Sequence, residues 1–303
     1  MRFLIRRGFK IYPQFYFFIF ATVFGHVIAD DPVSRRALAA ELGFFQNYAV
    51  GLWGHTWSLA VEEHFYVFIA IALTLLIRFR GENPFRDLPR WITMICALVL
   101  ALRIATSVRW LGAPGSDSLL GHIAPSHLRV DSLLMGVLLS YMHFFRASEL
   151  AGFVRRFGDW FPAASSALLA PAALLEQSNP FVYTVGFSMT AMAFALVLLG
   201  VLYAKDPIGR GAFPRTLARV GRVSYAFYLW HGPMLFFADR LRLPAVAQIP
   251  FAFAGTLGLA FITTRLIEEP FLRLRERFTR ERAAPAGLVR FAMVDPVGRG
   301  ERE

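Results

Sequence analysis

Gly54-His55-Thr56-Trp57-Ser58-Leu59-Ala60-Val61-Glu62-Glu63-His64-Phe65-Tyr66 runs without a break into the apolar stretch at 67–77. The continuous apolarity of 57–77, rather than strict alternation, predicts a helix and excludes a barrel strand. At about 1.5 Å per residue such a helix covers the ~30 Å hydrocarbon core of a bilayer. Two adjacent carboxylates inside it carry the information. A charge at membrane depth costs several kcal/mol, so Glu62 and Glu63 must face a bundle interior or a wet cavity rather than lipid.

Seven further apolar stretches share this character, at 9–28, 91–110, 128–145, 161–175, 181–203, 224–238 and 245–267. The fold class expected is therefore all-α, a polytopic membrane bundle with about eight spans in this chain. The stretches at 161–175 and 224–238 are short and contain proline, which blurs their ends. Composition agrees: 56% of residues are hydrophobic and 17% are charged, against about a quarter charged in soluble domains. The start, Met-Arg-Phe-Leu-Ile-Arg-Arg, enters a full-length span with no small-residue cleavage site, so it does not read as a secretory signal.

Of 32 Lys and Arg residues, 24 fall in the N-terminal segment, in alternate loops at 78–90, 146–160 and 204–223, or beyond residue 267. The positive-inside rule then places both termini in the cytoplasm of a bacterial inner-membrane protein. This bias accounts for most of the +11 net charge, and no basic face on a soluble module points to nucleic acid. The single cysteine, Cys96, excludes an internal disulfide and a cysteine-based metal site. Residues 1–275 form one membrane domain. Residues 276–303, polar and arginine-rich, are expected to be a disordered cytoplasmic tail.

Helical spacing puts His55, Ser58, Glu62 and Tyr66 on one stripe, with Glu63 turned about 100° away. A partly desolvated carboxylate beside hydroxyl and imidazole groups suits acid–base chemistry. The same residues also suit a purely structural tie between helices. Arg129 and Asp131 open the 128–145 span, where His127 and Asp131 share a face, Arg103 interrupts 91–110, and His231 lies within 224–238. Arg6, Arg7 and Lys10 stand at the cytoplasmic mouth of the first span. They suit either simple anchoring or the phosphates of an activated acyl donor.

Five segments, in order, resemble the acyltransferase-3 family of membrane O-acyltransferases. Arg6-Arg7-Gly8-Phe9-Lys10-Ile11-Tyr12-Pro13 is similar to its Arg-Arg-x-x-Arg-Ile-x-Pro element, with Lys10 in place of an arginine. Trp57–Tyr66 is similar to Trp-Ser-Leu-x-x-Glu-x-x-Phe-Tyr, and Arg129–Gly136 to Arg-x-Asp-x-Leu-x-x-Gly. Gly221–His231 is similar to Gly-x-x-Ser-Tyr-x-x-Tyr-Leu-x-His, and Glu268-Glu269-Pro270-Phe271 to Glu-x-Pro-Phe. The resemblance covers about residues 1–275.

It implies a ten-helix bundle that moves an acyl group, usually acetyl, from cytoplasmic acyl-CoA to a hydroxyl of an extracytoplasmic glycan or similar acceptor. Acyl-CoA would be a co-substrate, with no bound cofactor and no metal. Glu62, Ser58 and His231 would be catalytic, Arg6, Arg7 and Lys10 would meet the donor, and His55, Glu63, Arg129 and Asp131 would meet the acceptor. The basic mouth would then lie a membrane's width from the outer polar cluster. One departure stands out. The family's first two helices, which carry an Arg and a His eleven positions apart and then Phe-Phe-x-x-Ser-Gly, have no counterpart here. A separately encoded N-terminal fragment is expected as a partner, alongside membrane lipids. An inactive fragment and a proton-coupled carrier are the alternatives.

Overall fold

The computed structural model describes residues 2–81, 83–110, 119–176, 179–203 and 212–280. Among them there are helices and turns and no strands. In chain order the helices are α1 (Arg2–Ile28), α2 (Arg35–Leu42), α3 (Trp57–Phe79), α4 (Leu88–Trp110), α5 (Val130–Phe145), α6 (Ala147–Phe157), α7 (Phe161–Leu174), α8 (Phe187–Leu202), α9 (Ala212–Arg222), α10 (Ser224–Arg240), α11 (Ala245–Thr263) and α12 (Glu269–Arg280). A π-helical turn, Val182–Gly186, leads into α8, and another, Thr264–Glu268, joins α11 to α12.

Every expected apolar stretch is helical. Among the described residues, five helices are long and apolar enough to cross a membrane: Phe3–Ile28, Trp57–Phe79, Leu88–Arg109, Val182–Leu202 and the continuous Val246–Arg277. The other three expected spans are shorter, at 16, 14 and 17 residues for α5, α7 and α10. The last two hold Pro171 and Pro233 within the helix. Helix α12 continues to Arg280; residues 281–303, the greater part of the expected tail, lie outside the described residues.

The bundle has an apolar surface as well as an apolar core, and polar groups are buried between its helices. Phe68, Ile71, Leu98, Phe194 and Phe253 are exposed, while Arg103, Gln14, Glu41 and Asn47 are fully buried. Lipid supplies no driving force to hide apolar side chains, so the helices turn polar groups toward one another. Gln14 of α1 donates from Nε2 to Thr263 Oγ1 of α11 at 2.7 Å, and the Tyr225 hydroxyl donates to the carbonyl of Ile11. The start of α1 packs on the end of the α11–α12 helix. The first and last described helical turns therefore share one end of the bundle.

The segment between α1 and α3 is built into the fold. Ser34 caps α2, and Phe44 takes a left-handed backbone (φ 59°) that stacks its ring on Phe15 at 4.5 Å. Asn47 donates to Ala124 O and Ser126 Oγ, which fixes this segment to the entry of α5. The fully buried Glu41 accepts the Leu52 N–H at 3.0 Å. Gly51 permits that approach, since a Cβ there would meet Glu41 Oε2 at 2.4 Å.

Candidate active site

The first two turns of α3 carry the site. Glu62 Oε2 accepts from Arg7 Nη2 of α1 at 2.6 Å, and Arg7 Nε lies 3.4 Å from Glu63 Oε1. The Tyr12 hydroxyl donates to Glu63 Oε2 at 2.9 Å, and the Arg7 guanidinium lies 3.4 Å over the Tyr66 ring. Buried charges persist only when paired and hydrogen-bonded. One arginine here neutralises part of two carboxylates. The expected separation of a basic donor mouth from an outer Glu62 cluster is thus overturned, because Arg7 and Glu62 are in direct contact. Arg6 and Lys10 are exposed, and the Lys10 charge acts on buried Glu268.

Beside Glu62 opens a cavity of about 810 Å³. Its lining includes the polar residues Ser58, Glu62, Arg103 and Arg129 and the apolar residues Leu139, Phe194 and Leu198. The Glu62 side chain keeps 40% of its surface accessible despite its ion pair. Ser58 Oγ shares a 2.6 Å hydrogen bond with the Tyr228 hydroxyl, which also donates to the carbonyl of His55.

His55 departs from the expected stripe. It precedes the first turn of α3 and bonds through Nε2 to Leu229 O at 3.2 Å, its ring 4.6 Å from that of His231. Burial first, and then the neighbouring His231, push the His55 imidazole down to about 4, so it is neutral at physiological pH. Gly232 is required there: a Cβ would sit 2.4 Å from His55 Cε1. His231 turns Nδ1 to the Tyr228 carbonyl at 2.5 Å and does not line the cavity.

Asp131 pairs with Arg103, not with Arg129. Arg103 Nη2 lies 2.5 Å from Asp131 Oδ2, and Ser188 Oγ bonds to both. Arg129 is held by two rings, 3.6 Å from Phe187 and 4.9 Å from Trp57. His127 does not share the Asp131 face, because α5 begins only at Val130; it stacks instead on Tyr48. Sequence reasoning left Tyr12, Tyr228 and Ser188 unassigned. Tyr12 and Tyr228 lie inside the motif segments, where their hydroxyls were the available signal. Ser188 carried none. Among the described residues, no group of three or more His, Cys, Asp or Glu side chains is placed to hold a metal ion.

The acyltransferase domain model of the acyltransferase-3 family matches residues 1–265. The chain belongs to the acyltransferase-3 family. Among curated relatives, O-acetyltransferase OatA of Staphylococcus aureus strain NCTC 8325 is 22% identical over 241 residues, covering 77% of this chain and 38% of its own length. A putative O-acetyltransferase, SACOL0978 of Staphylococcus aureus strain COL, is 24% identical with the same coverage. The acyltransferase-3 chain described here therefore spans about two-fifths of the length of these relatives. No solved structure matches it. Family and apolar helices together make it a membrane protein.

Proposed function

We propose that this protein is a membrane O-acetyltransferase that takes an acetyl group from acyl-CoA and places it on a hydroxyl of an extracytoplasmic glycan. The names of its relatives support acetyl as the group moved. The observation that carries the reading is the 810 Å³ cavity whose lining includes both Glu62 and Ser58. In this scheme Glu62 accepts the proton of the acceptor hydroxyl as its oxygen attacks the thioester carbonyl. The new C–O bond forms, the C–S bond breaks, and the coenzyme thiolate leaves with the proton. Arg7 holds Glu62 in place through their 2.6 Å contact, and Ser58, fixed by Tyr228, orients the hydroxyl. The positive-inside bias supports an inner-membrane location with both termini cytoplasmic.

The test is expression in a bacterial host, followed by mass spectrometry of acetyl esters on the surface glycan. Glu62→Gln keeps side-chain volume and removes proton affinity, so acetylation is expected to fall by about 100-fold or more. Membrane levels should be unchanged. Undiminished acetylation by this variant would reduce Glu62 to a packing residue.

A further inference from the structure

The charges around the cavity divide unevenly. On one side Arg7 faces two carboxylates, Glu62 and Glu63. On the other, Arg103 and Arg129 have only Asp131 between them, and Asp131 is bonded to Arg103. Among the described residues no carboxylate is within ion-pair distance of Arg129. Its face is covered by Phe187, 3.6 Å away, and it lines the cavity. Arg103 is fully buried, lines the same cavity, and has Nε and Nη1 without a partner. The other unpartnered atom at this pair, Asp131 Oδ1, is not in ion-pair reach of Arg129. The part of the lining formed by Arg103 and Arg129 thus carries one surplus positive charge, with fixed, unused donors on Arg103.

We propose that Arg129, with Arg103 behind it, receives the carbonyl oxygen of the thioester and stabilises the negative charge that forms there during transfer. The assignment rests on the acyltransferase reading and adds the electrophilic half of the site. Attack by the acceptor oxygen drives the carbonyl electron pair onto its oxygen, which develops a single negative charge. That charge matches the surplus in the lining. Donors held by aromatic stacking and by the Asp131–Ser188 bonds need no rearrangement to meet it, which is where such electrostatic catalysis gains most. Arg129 would be a catalytic residue, and Asp131 and Ser188 would position Arg103.

Purified protein in lipid vesicles can be assayed by thiol release from acetyl-CoA, with water as acceptor and then with chitotetraose. Arg129→Gln is expected to lower kcat by about 100- to 1,000-fold and to shift the KM for acetyl-CoA by less than about threefold, since the interaction forms only in the transition state. Arg129→Lys should fall between, because it keeps the charge and loses the planar fork. Added guanidinium should restore part of the rate of Arg129→Ala. Arg129 stacks on Phe187 and Trp57 and has no ion pair within 4 Å among the described residues, so unchanged elution on size exclusion is expected to accompany these rates. A raised KM at unchanged kcat would make Arg129 a ground-state ligand and overturn the assignment. Wild-type rates in Arg129→Gln would overturn it too, leaving the acyltransferase reading in place. Absence of thiol release in the wild type with both acceptors would remove both.

Discussion

Arg103 shows how narrowly a charge is accommodated in this bundle. It is fully buried, and its single carboxylate partner comes from the next membrane helix. Asp131→Leu should therefore destabilise the protein by about 3–5 kcal/mol, because it leaves a buried guanidinium unpaired. Replacing both members, Arg103→Met with Asp131→Leu, should recover most of that loss in thermal unfolding in detergent. Gly232→Ala forces a methyl group into His55, whose ring is pinned by Leu229 and His231. A cost of about 1–3 kcal/mol is expected by the same measurement. At this scale the sequence marked Ser58, Glu62, Arg103 and Arg129, which line the cavity, and not whom each one meets. Glu62, Ser58 and Arg129 were legible because a polar group in an apolar window must have a reason. Arg7 with Glu62, Ser58 with Tyr228, and Arg103 with Asp131 join different helices across long loops, and helical periodicity holds no information about such pairs.

The segment between α1 and α3 acts as one folded element, with Glu41 at its centre and His55 at its end. The depressed His55 sets a pH dependence. Its folded value of about 4 lies below the ordinary value near 6.5, so the unfolded chain binds the proton more readily. Stability should be full above about pH 6.5 and decline as the pH falls toward 4. Melting temperatures across that window should show the decline, and His55→Phe should flatten it. Helix α3 was legible almost to the residue, at 57–77 expected against Trp57–Phe79. Helix α2 was not. It is short and polar, and what holds it is tertiary: the Ser34 cap, the buried Glu41 and the left-handed Phe44.

Across the whole molecule, α1 packs on the end of the α11–α12 helix, and the orientation proposed from the positive-inside bias can be tested by labelling. With Cys96 replaced by alanine, a reporter cysteine at Arg36 should react with an impermeant maleimide in intact cells. One at Glu149 should react only after lysis. The opposite pattern would invert the orientation. The eight apolar stretches were legible because the bilayer sets their length and composition. The depth at which they cross was not. Arg7 contacts Glu62 because α1 and α3 overlap along only part of their lengths, an offset that hydropathy does not encode. The π-helical turn Thr264–Glu268 has a mechanical consequence of its own. Such a turn holds one residue more than the α-helix around it, so loss of one codon there would leave a continuous helix. It would also screw α12 round by about 100° and draw it in by about 1.5 Å, shifting the face it packs against α1. Single-codon insertions and deletions within this long helix should therefore be least harmful to helicity at this turn, yet still audible in how the two ends of the chain fit together.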